Sequence, residues 1–260
     1  MKIEGKKIIV TGGASGIGKE LVKRLIKGGA LVSALDINED NLKKLEIEIN
    51  SQNLKTYVVD IGSKDSIINF SEKYITDNTY VDILINNAGI IQPFVDVSEL
   101  DDATINRVMN INFYGPLNLT RQFLKILKER DEAYIINVSS MGGFFPFPRQ
   151  TVYGASKAAI KLFTEGLYAE LLDTNVKVMV VFPGAINTNI TQNSNVSISA
   201  NAESYKMTSA SDAAKEIIKG INKNKFKLFI GSDSKFMNWF YNFNSKLAIK
   251  TINNKMKSIK

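Results

Sequence analysis

Six short apolar runs, rich in β-branched residues, recur along the chain: Lys7-Ile8-Ile9-Val10, Leu31-Val32-Ser33-Ala34-Leu35, Thr56-Tyr57-Val58-Val59, Asp82-Ile83-Leu84-Ile85, Tyr134-Ile135-Ile136-Asn137-Val138 and Val178-Met179-Val180-Val181. Each is continuously apolar rather than alternating, which marks a strand buried on both faces. Helix-length amphipathic stretches lie between them. This alternation, from residue 6 to about residue 229, predicts a doubly wound parallel sheet with helices on both sides, a three-layer α/β/α (Rossmann) fold. No linker, low-complexity tract or internal repeat divides it. One domain over 1–231 is therefore expected, followed by a short helical extension over 232–260 in which Phe236, Trp239, Phe240 and Phe243 recur near helical spacing.

Composition removes whole classes of chemistry. The 260 residues are 44% hydrophobic, yet no apolar run approaches the roughly 20 residues of a bilayer-spanning helix. The opening Met1-Lys2-Ile3-Glu4-Gly5-Lys6-Lys7 passes directly into the first strand without a secretory pattern, so a cytoplasmic location is expected. There is no cysteine and no histidine. Ser-His-Asp hydrolysis, thiol catalysis and disulfide scaffolds are excluded, the commonest zinc ligands are missing, and no metal site is expected. Proton transfer near neutral pH must then fall to a carboxylate, a lysine or a tyrosine with a displaced pKa.

The formal charge of +7 is concentrated at the C-terminus, where from Phe226 onward seven lysines face the single acid Asp233. The body is nearly neutral. No recognition motif accompanies the charge, so nucleic acid is not an expected partner. The extension is expected to pack on protein, with peripheral membrane contact as the alternative.

Directly after the first strand comes Thr11-Gly12-Gly13-Ala14-Ser15-Gly16-Ile17-Gly18, followed by the helical pattern of 19–25. Glycines at a strand–helix junction let the backbone turn tightly against a pyrophosphate, whose charge meets free N–H groups and the positive end of the helix. The second strand ends at Asp36, where a dinucleotide fold places the acid that bonds the adenosine ribose. That predicts NAD over NADP, because Ser15, Ile37 and Asn38 offer no cation for a 2'-phosphate. The competing reading is an aspartate that caps the helix starting near Glu39. Further on, Tyr153 and Lys157 stand at i and i+4 on one helix face. In a chain without histidine, the lysine charge could bring the phenol toward a usable acid–base range, and Ser140 could orient a substrate oxygen.

Taken together these residues resemble the short-chain dehydrogenase/reductase family, up to about Gly231. Its TGxxxGxG pattern is met by Thr11 to Gly18, NNAG by Asn86 to Gly89 and YxxxK by Tyr153 to Lys157, with Ser140 thirteen positions before Tyr153. The resemblance implies a catalytic tetrad of Asn112, Ser140, Tyr153 and Lys157; Asn112 is preferred over Asn110 because a hydrophobic residue and a nearby glycine follow it. It implies cofactor contacts from Gly12, Ser15, Gly16, Ile17 and Gly18, from Asp36 at the ribose, Asp60 and Ile61 at the adenine, Asn87 near the nicotinamide ribose, and Ile186 and Thr188 at the carboxamide. Tyr153 and Lys157 would also face the cofactor, Lys157 on ribose hydroxyls, and Asn112 would help hold a water through which the proton leaves.

The implied activity is reversible hydride transfer between NAD(H) and a secondary alcohol or ketone, in a homodimer or homotetramer. Segments 90–95, 142–150 and the stretch from 188 to about 207 should line the substrate pocket, with 189–209 as a lid. Phe144, Phe145, Pro146, Phe147 and Pro148 suggest a hydrophobic wall and a lipophilic substrate, the alternative being that some of these aromatics serve packing or a subunit contact, while Arg149 could instead meet an anionic group. The alternatives are a non-catalytic NAD-binding regulator and a membrane-surface protein using the basic tail.

Overall fold

A computed structural model describes residues 1–187 and 207–257. Seven parallel strands form the central sheet: β1 (Lys7–Thr11), β2 (Leu31–Asp36), β3 (Leu54–Val58), β4 (Ile83–Asn86), β5 (Ala133–Val138), β6 (Val176–Pro183) and β9 (Lys227–Ile230). Their order is β3-β2-β1-β4-β5-β6-β9, so the chain reverses direction across the sheet between β1 and β4. The two-residue strands β7 (Ile186–Asn187) and β8 (Thr208–Ser209) pair separately beyond β6. Six of the seven sheet strands coincide with the apolar runs, with ends shifted by one or two residues. The seventh, Lys-Leu-Phe-Ile, lies at the close of the alternating region.

The period of two along each strand divides the core into two layers. On β1, Ile8 and Val10 join one hydrophobic cluster and Ile9 the other. On β5, Tyr134, Ile136 and Val138 face the first layer, and Ala133 and Ile135 the second. The first layer is closed by α1 (Gly16–Lys27), α2 (Glu39–Ile49) and α7 (Ala210–Asn222), through residues such as Leu21, Leu42 and Ile217. The second is closed by α3 (Lys64–Asn78), α5 (Gly115–Lys128) and α6 (Thr151–Glu170), through Ile67, Phe123 and Leu167. Two buried faces on one sheet explain why the strands read as unbroken apolar runs.

Helix starts follow local chemistry. Asn38, Ser63 and Ser209 each accept a backbone N–H in the first turn of α2, α3 and α7. Asp101 does the same for α4 (Asp102–Met109). Between α4 and α5 the helix widens into one π turn, Asn110–Tyr114; such turns often mark functional positions. Two further helices, α8 (Ser232–Phe243) and α9 (Ser245–Lys257), pack against each other at the C-terminus. Among the described residues no helix is long and apolar enough to cross a membrane.

Candidate active site

Every feature of the site gathers at the C-terminal edge of the sheet. β1 runs into Gly12, whose φ of +62° suits glycine, and Gly16 turns the chain into α1 with φ +50°. A Cβ on Gly18 would overlap the carbonyl oxygen of Gly12, so the first turn of α1 sits directly on the loop. Ser15 is the extended residue before the helix, no acid occupies the first turn, and Ile17 packs against the first core layer. Asn87 fastens β1 to β4: its Nδ2 donates to the Thr11 carbonyl at 3.0 Å, and its backbone N–H donates to Thr11 Oγ1 at 3.0 Å.

A cavity of about 530 Å³ opens beside this loop, lined by Gly12, Asp36, Asp60 and Ile61 among the sequence-predicted residues. Asp36 accepts the backbone N–H groups of Ala14 and Asn38, each at 3.1 Å. The cap of α2 is Asn38, so the capping alternative for Asp36 is replaced by a carboxylate facing the cavity. Asp60 Oδ1 accepts the Gly62 N–H at 2.8 Å. The opposite wall was not read from the sequence. It comes from α4 and the π turn, where Ala103, Asn106, Arg107 and Asn110 recur at helical spacing. Arg107 is the one cation among the described lining residues. Ser15, Gly16, Ile17, Gly18, Asn87 and Ile186 do not line this cavity. Thr188 and the segment 189–206 lie outside the described residues.

The four tetrad positions converge next to it. Lys157 is 4% exposed, and its Nζ donates to the Val138 carbonyl at 3.1 Å. A Cβ on Gly89, which also lines the cavity, would lie 2.9 Å from that Nζ. The Tyr153 ring lies over Gly142, where a Cβ would come within 3.2 Å of it. Ser140 Oγ accepts the Gly142 N–H at 3.1 Å. Asn112 is buried in the π turn with its amide engaged: Oδ1 accepts the Ile90 N–H, while Nδ2 donates to the Ile90 carbonyl and to Ser156 Oγ at 3.0 Å.

The expected lowering of the Tyr153 pKa by Lys157 is not what this arrangement produces. Desolvation raises Tyr153, and the Ser140 hydroxyl, as a hydrogen-bond partner, pulls the other way. Burial also pushes Lys157 down to about 8. Burying both groups disfavours both charged forms.

A further residue holds the tyrosine. Gln92 is fully buried, its Oε1 accepts the backbone N–H of Tyr153 at 2.8 Å, and its Nε2 donates to the Arg149 carbonyl at 3.1 Å. Gln150 Nε2 returns a bond to the Gln92 carbonyl at 2.9 Å. The start of α6, which has no side-chain cap of its own, is thus capped from the loop after β4.

The sequence profile of the short chain dehydrogenase family matches residues 6–198. The chain belongs to that family. It is 35% identical over 194 residues to the 3-oxoacyl-(acyl-carrier-protein) reductase FabG of Thermotoga maritima, covering 74% of this chain and 78% of the relative. A short chain dehydrogenase of Burkholderia cenocepacia, solved in complex with NADP, superposes with a TM-score of 0.82 at 25% identity over 97% of this chain and 99% of its own. One from Burkholderia phymatum, solved with NAD, shares the fold with a TM-score of 0.81 at 21% identity, covering 88% of this chain and 90% of its own.

In this short-chain dehydrogenase the segment 142–150 has a destination the sequence did not give. Phe145 is fully buried and packs with Ala248 and Ile252 of α9. Phe144 stacks edge-on against Phe182 and Phe229. The expected aromatic wall is therefore largely committed to holding the C-terminal helices. Arg149, with φ +64°, pairs through Nε with Asp96 at 3.3 Å, so its charge is already met. The C-terminal helices in turn grip the loop after β6: Asp233 Oδ2 accepts the Ala185 N–H at 2.6 Å, and Ser234 Oγ donates to the Phe182 carbonyl at 2.8 Å.

Proposed function

We propose that this protein is an NAD(H)-dependent oxidoreductase that interconverts a secondary alcohol and a ketone, with Tyr153 as general acid and base. The observation that carries the reading is the junction at Gly89, which lines the cavity and abuts Lys157 Nζ, one helical turn from Tyr153. The residues fit a dinucleotide. Gly12 turns the loop at the cavity wall without a side chain, Gly18 lets the first turn of α1 close onto that loop, and Asp36, accepting two backbone N–H groups, retains lone pairs for ribose hydroxyls.

When bound, the nicotinamide supplies the hydride or accepts it. Tyr153 exchanges the accompanying proton with the substrate oxygen at its phenol oxygen, and Ser140 Oγ orients that oxygen. Lys157 Nζ holds the cofactor ribose and, when charged, favours the phenolate. Asn112 keeps the Ile90 backbone and Ser156 in place, and Oδ1 retains a lone pair for a water that carries the proton onward.

NAD is favoured over NADP because Asp36 and Asp60 outnumber Arg107 around the cavity. A lipophilic substrate is supported by the oxoacyl substrate in the name of the Thermotoga maritima relative. Exposed Leu162, Leu172 and Tyr114 on and beside α5 and α6 support a homodimer or homotetramer.

The test is NADH oxidation by purified protein against a panel of aliphatic and cyclic ketones, with Tyr153→Phe alongside. Turnover of a lipophilic ketone that disappears in the variant is the expected result. NADH binding without turnover of any ketone, or equal turnover by the variant, would replace the catalytic reading with a regulatory one.

A further inference from the structure

The helices α8 and α9 present two faces with different fates. The inner face is covered by the protein itself, with Met237, Phe240 and Tyr241 packed around Phe145, and Ala248 and Ile252 closing the cluster. The outer face is open. Phe236, Trp239 and Phe243 are 54%, 61% and 74% exposed, and Leu247 follows at 49%. Positions 236, 239 and 243 fall on one stripe of α8. Their rings form a continuous ladder, with centroids 5.9 Å apart from Phe236 to Trp239 and 5.8 Å from Trp239 to Phe243. Side chains that large, stacked on one another in water, form a contiguous apolar patch rather than scattered exposure.

Charge decides what covers the patch. Lys235 precedes the stripe, and Lys246 and Lys250 lie on α9 opposite buried Ala248; all three are exposed and none forms an ion pair among the described residues. The single acid of the extension, Asp233, is turned inward onto Ala185 and does not offset them. A second copy of this chain, docked about a two-fold axis, would bring the same lysines against themselves, because such an interface pairs a patch with its own copy. An anionic bilayer satisfies both components. Aromatic rings settle at the boundary between headgroups and acyl chains, and lysines reach the lipid phosphates.

We propose that the α8–α9 hairpin docks this protein on anionic membrane surfaces, with Phe236, Trp239 and Phe243 inserted and Lys235, Lys246 and Lys250 on the phosphates. The docking face is the outer surface of the hairpin whose inner surface packs on the 144–147 segment and holds the Ala185 loop. The proposal does not depend on which reaction the site performs.

Trp239 is the only tryptophan in the chain, so its emission reports insertion directly. The full-length protein is titrated with vesicles of mixed phosphatidylglycerol and phosphatidylcholine, with phosphatidylcholine alone as control, and binding is checked by flotation. The expected result is a blue shift and flotation with the anionic vesicles, weakened about tenfold or more on phosphatidylcholine alone and by about 0.5 M salt. Phe236→Ser/Phe243→Ser and Lys246→Glu/Lys250→Glu should each lose flotation at least about tenfold while NADH binding is unchanged. No shift and no flotation would overturn the proposal, as would variants that float like the native protein. Phe236→Ser/Phe243→Ser turning an oligomer into a monomer, with no vesicle binding by the native protein, would show that a second copy covers the face.

Discussion

Asp233, in the first turn of α8, accepts the backbone N–H of Ala185 at 2.6 Å, across 48 positions of sequence. The bond fixes the loop that follows β6, and Gly184 N–H completes the clasp on the Ile230 carbonyl at 2.9 Å. A Cβ on Gly184 or Gly231 would overlap the Asp233 carboxylate, so both glycines are there to admit it. A hydrogen bond to a charged acceptor is worth about 1.5–3 kcal/mol. Asp233→Ala should therefore lower the melting temperature by roughly 3–10 °C and weaken NADH binding several-fold, with Asp233→Asn intermediate. An Ala variant with native melting and native NADH affinity would remove Asp233 from the support of the site.

Ser140 and Tyr153 are not among the residues lining the cavity proposed for the dinucleotide. In the proposed mechanism Tyr153→Phe removes only the proton carrier, and Ser140→Ala only the partner that orients a substrate oxygen. Each should cut kcat by about 10²–10⁴-fold, the usual contribution of positioned acid–base groups. NADH affinity, read from nicotinamide fluorescence, should stay near the native value. Parallel losses of affinity and turnover would mean that these residues act on the fold instead.

What the sequence disclosed depends on whether the partner is local. The strands were legible because burial on both faces leaves uninterrupted apolar runs, and the glycine loop because strand, turn and helix are adjacent in the chain. Tyr153 and Lys157 lie one turn apart. Gln92 and Arg107 carried no such signal: Gln92 meets Tyr153 across 61 positions, and Arg107 faces the cavity only because α4 returns to the sheet edge. The apolarity of 144–147 was visible. Its destination against α9, some hundred residues later, was not.

Gln92 supplies the cap that α6 lacks. Gln92→Ala leaves the Tyr153 N–H without a partner in a buried place, at a cost of about 1–3 kcal/mol for the unsatisfied group, while the Arg149 carbonyl keeps Gln150 Nε2 at 3.0 Å. The variant should melt several degrees lower. Because Tyr153 sits in the freed turn, kcat should fall more than the KM for NADH rises. Gln92→Glu keeps an acceptor for Tyr153 but turns a second oxygen toward the Arg149 carbonyl, so it should rescue only part of the loss. Equal changes in kcat and KM across both variants would assign Gln92 a purely structural role.

Burial holds the Lys157 ammonium at about 8, against 10.5 for an exposed lysine. Below pH 8 the folded and unfolded chains both carry the charge, and the cost of burying it is present in full. Between pH 8 and about 10.5 the folded protein has released this proton while the unfolded chain retains it, so this group's contribution to stability rises with pH. Lys157→Met has no such group. Its stability relative to the native protein should fall by about 3 kcal/mol between pH 7 and pH 10.5, most of it above pH 8. Urea unfolding of both proteins at four pH values measures this, and a constant difference would place the Lys157 pKa near its ordinary value.

Arg107 and Asp36 stand with opposite charges on two walls of one cavity. The 2'-phosphate that distinguishes NADPH adds about −1.5 to −2 charges, which Asp36 repels and only Arg107 among the described lining residues could answer. NADH should therefore bind more tightly than NADPH. Asp36→Ala should narrow or reverse the ratio, because it removes both the ribose acceptor and the repulsion. Arg107→Ala should leave NADH within about twofold and weaken NADPH further, by the roughly two- to fivefold that one exposed charge contact supplies. Fluorescence titration of the native protein and both variants with each dinucleotide separates the walls. Should Arg107→Ala instead weaken both dinucleotides equally, the guanidinium contacts a group the two share, the adenine or the pyrophosphate, and discrimination rests on Asp36 alone.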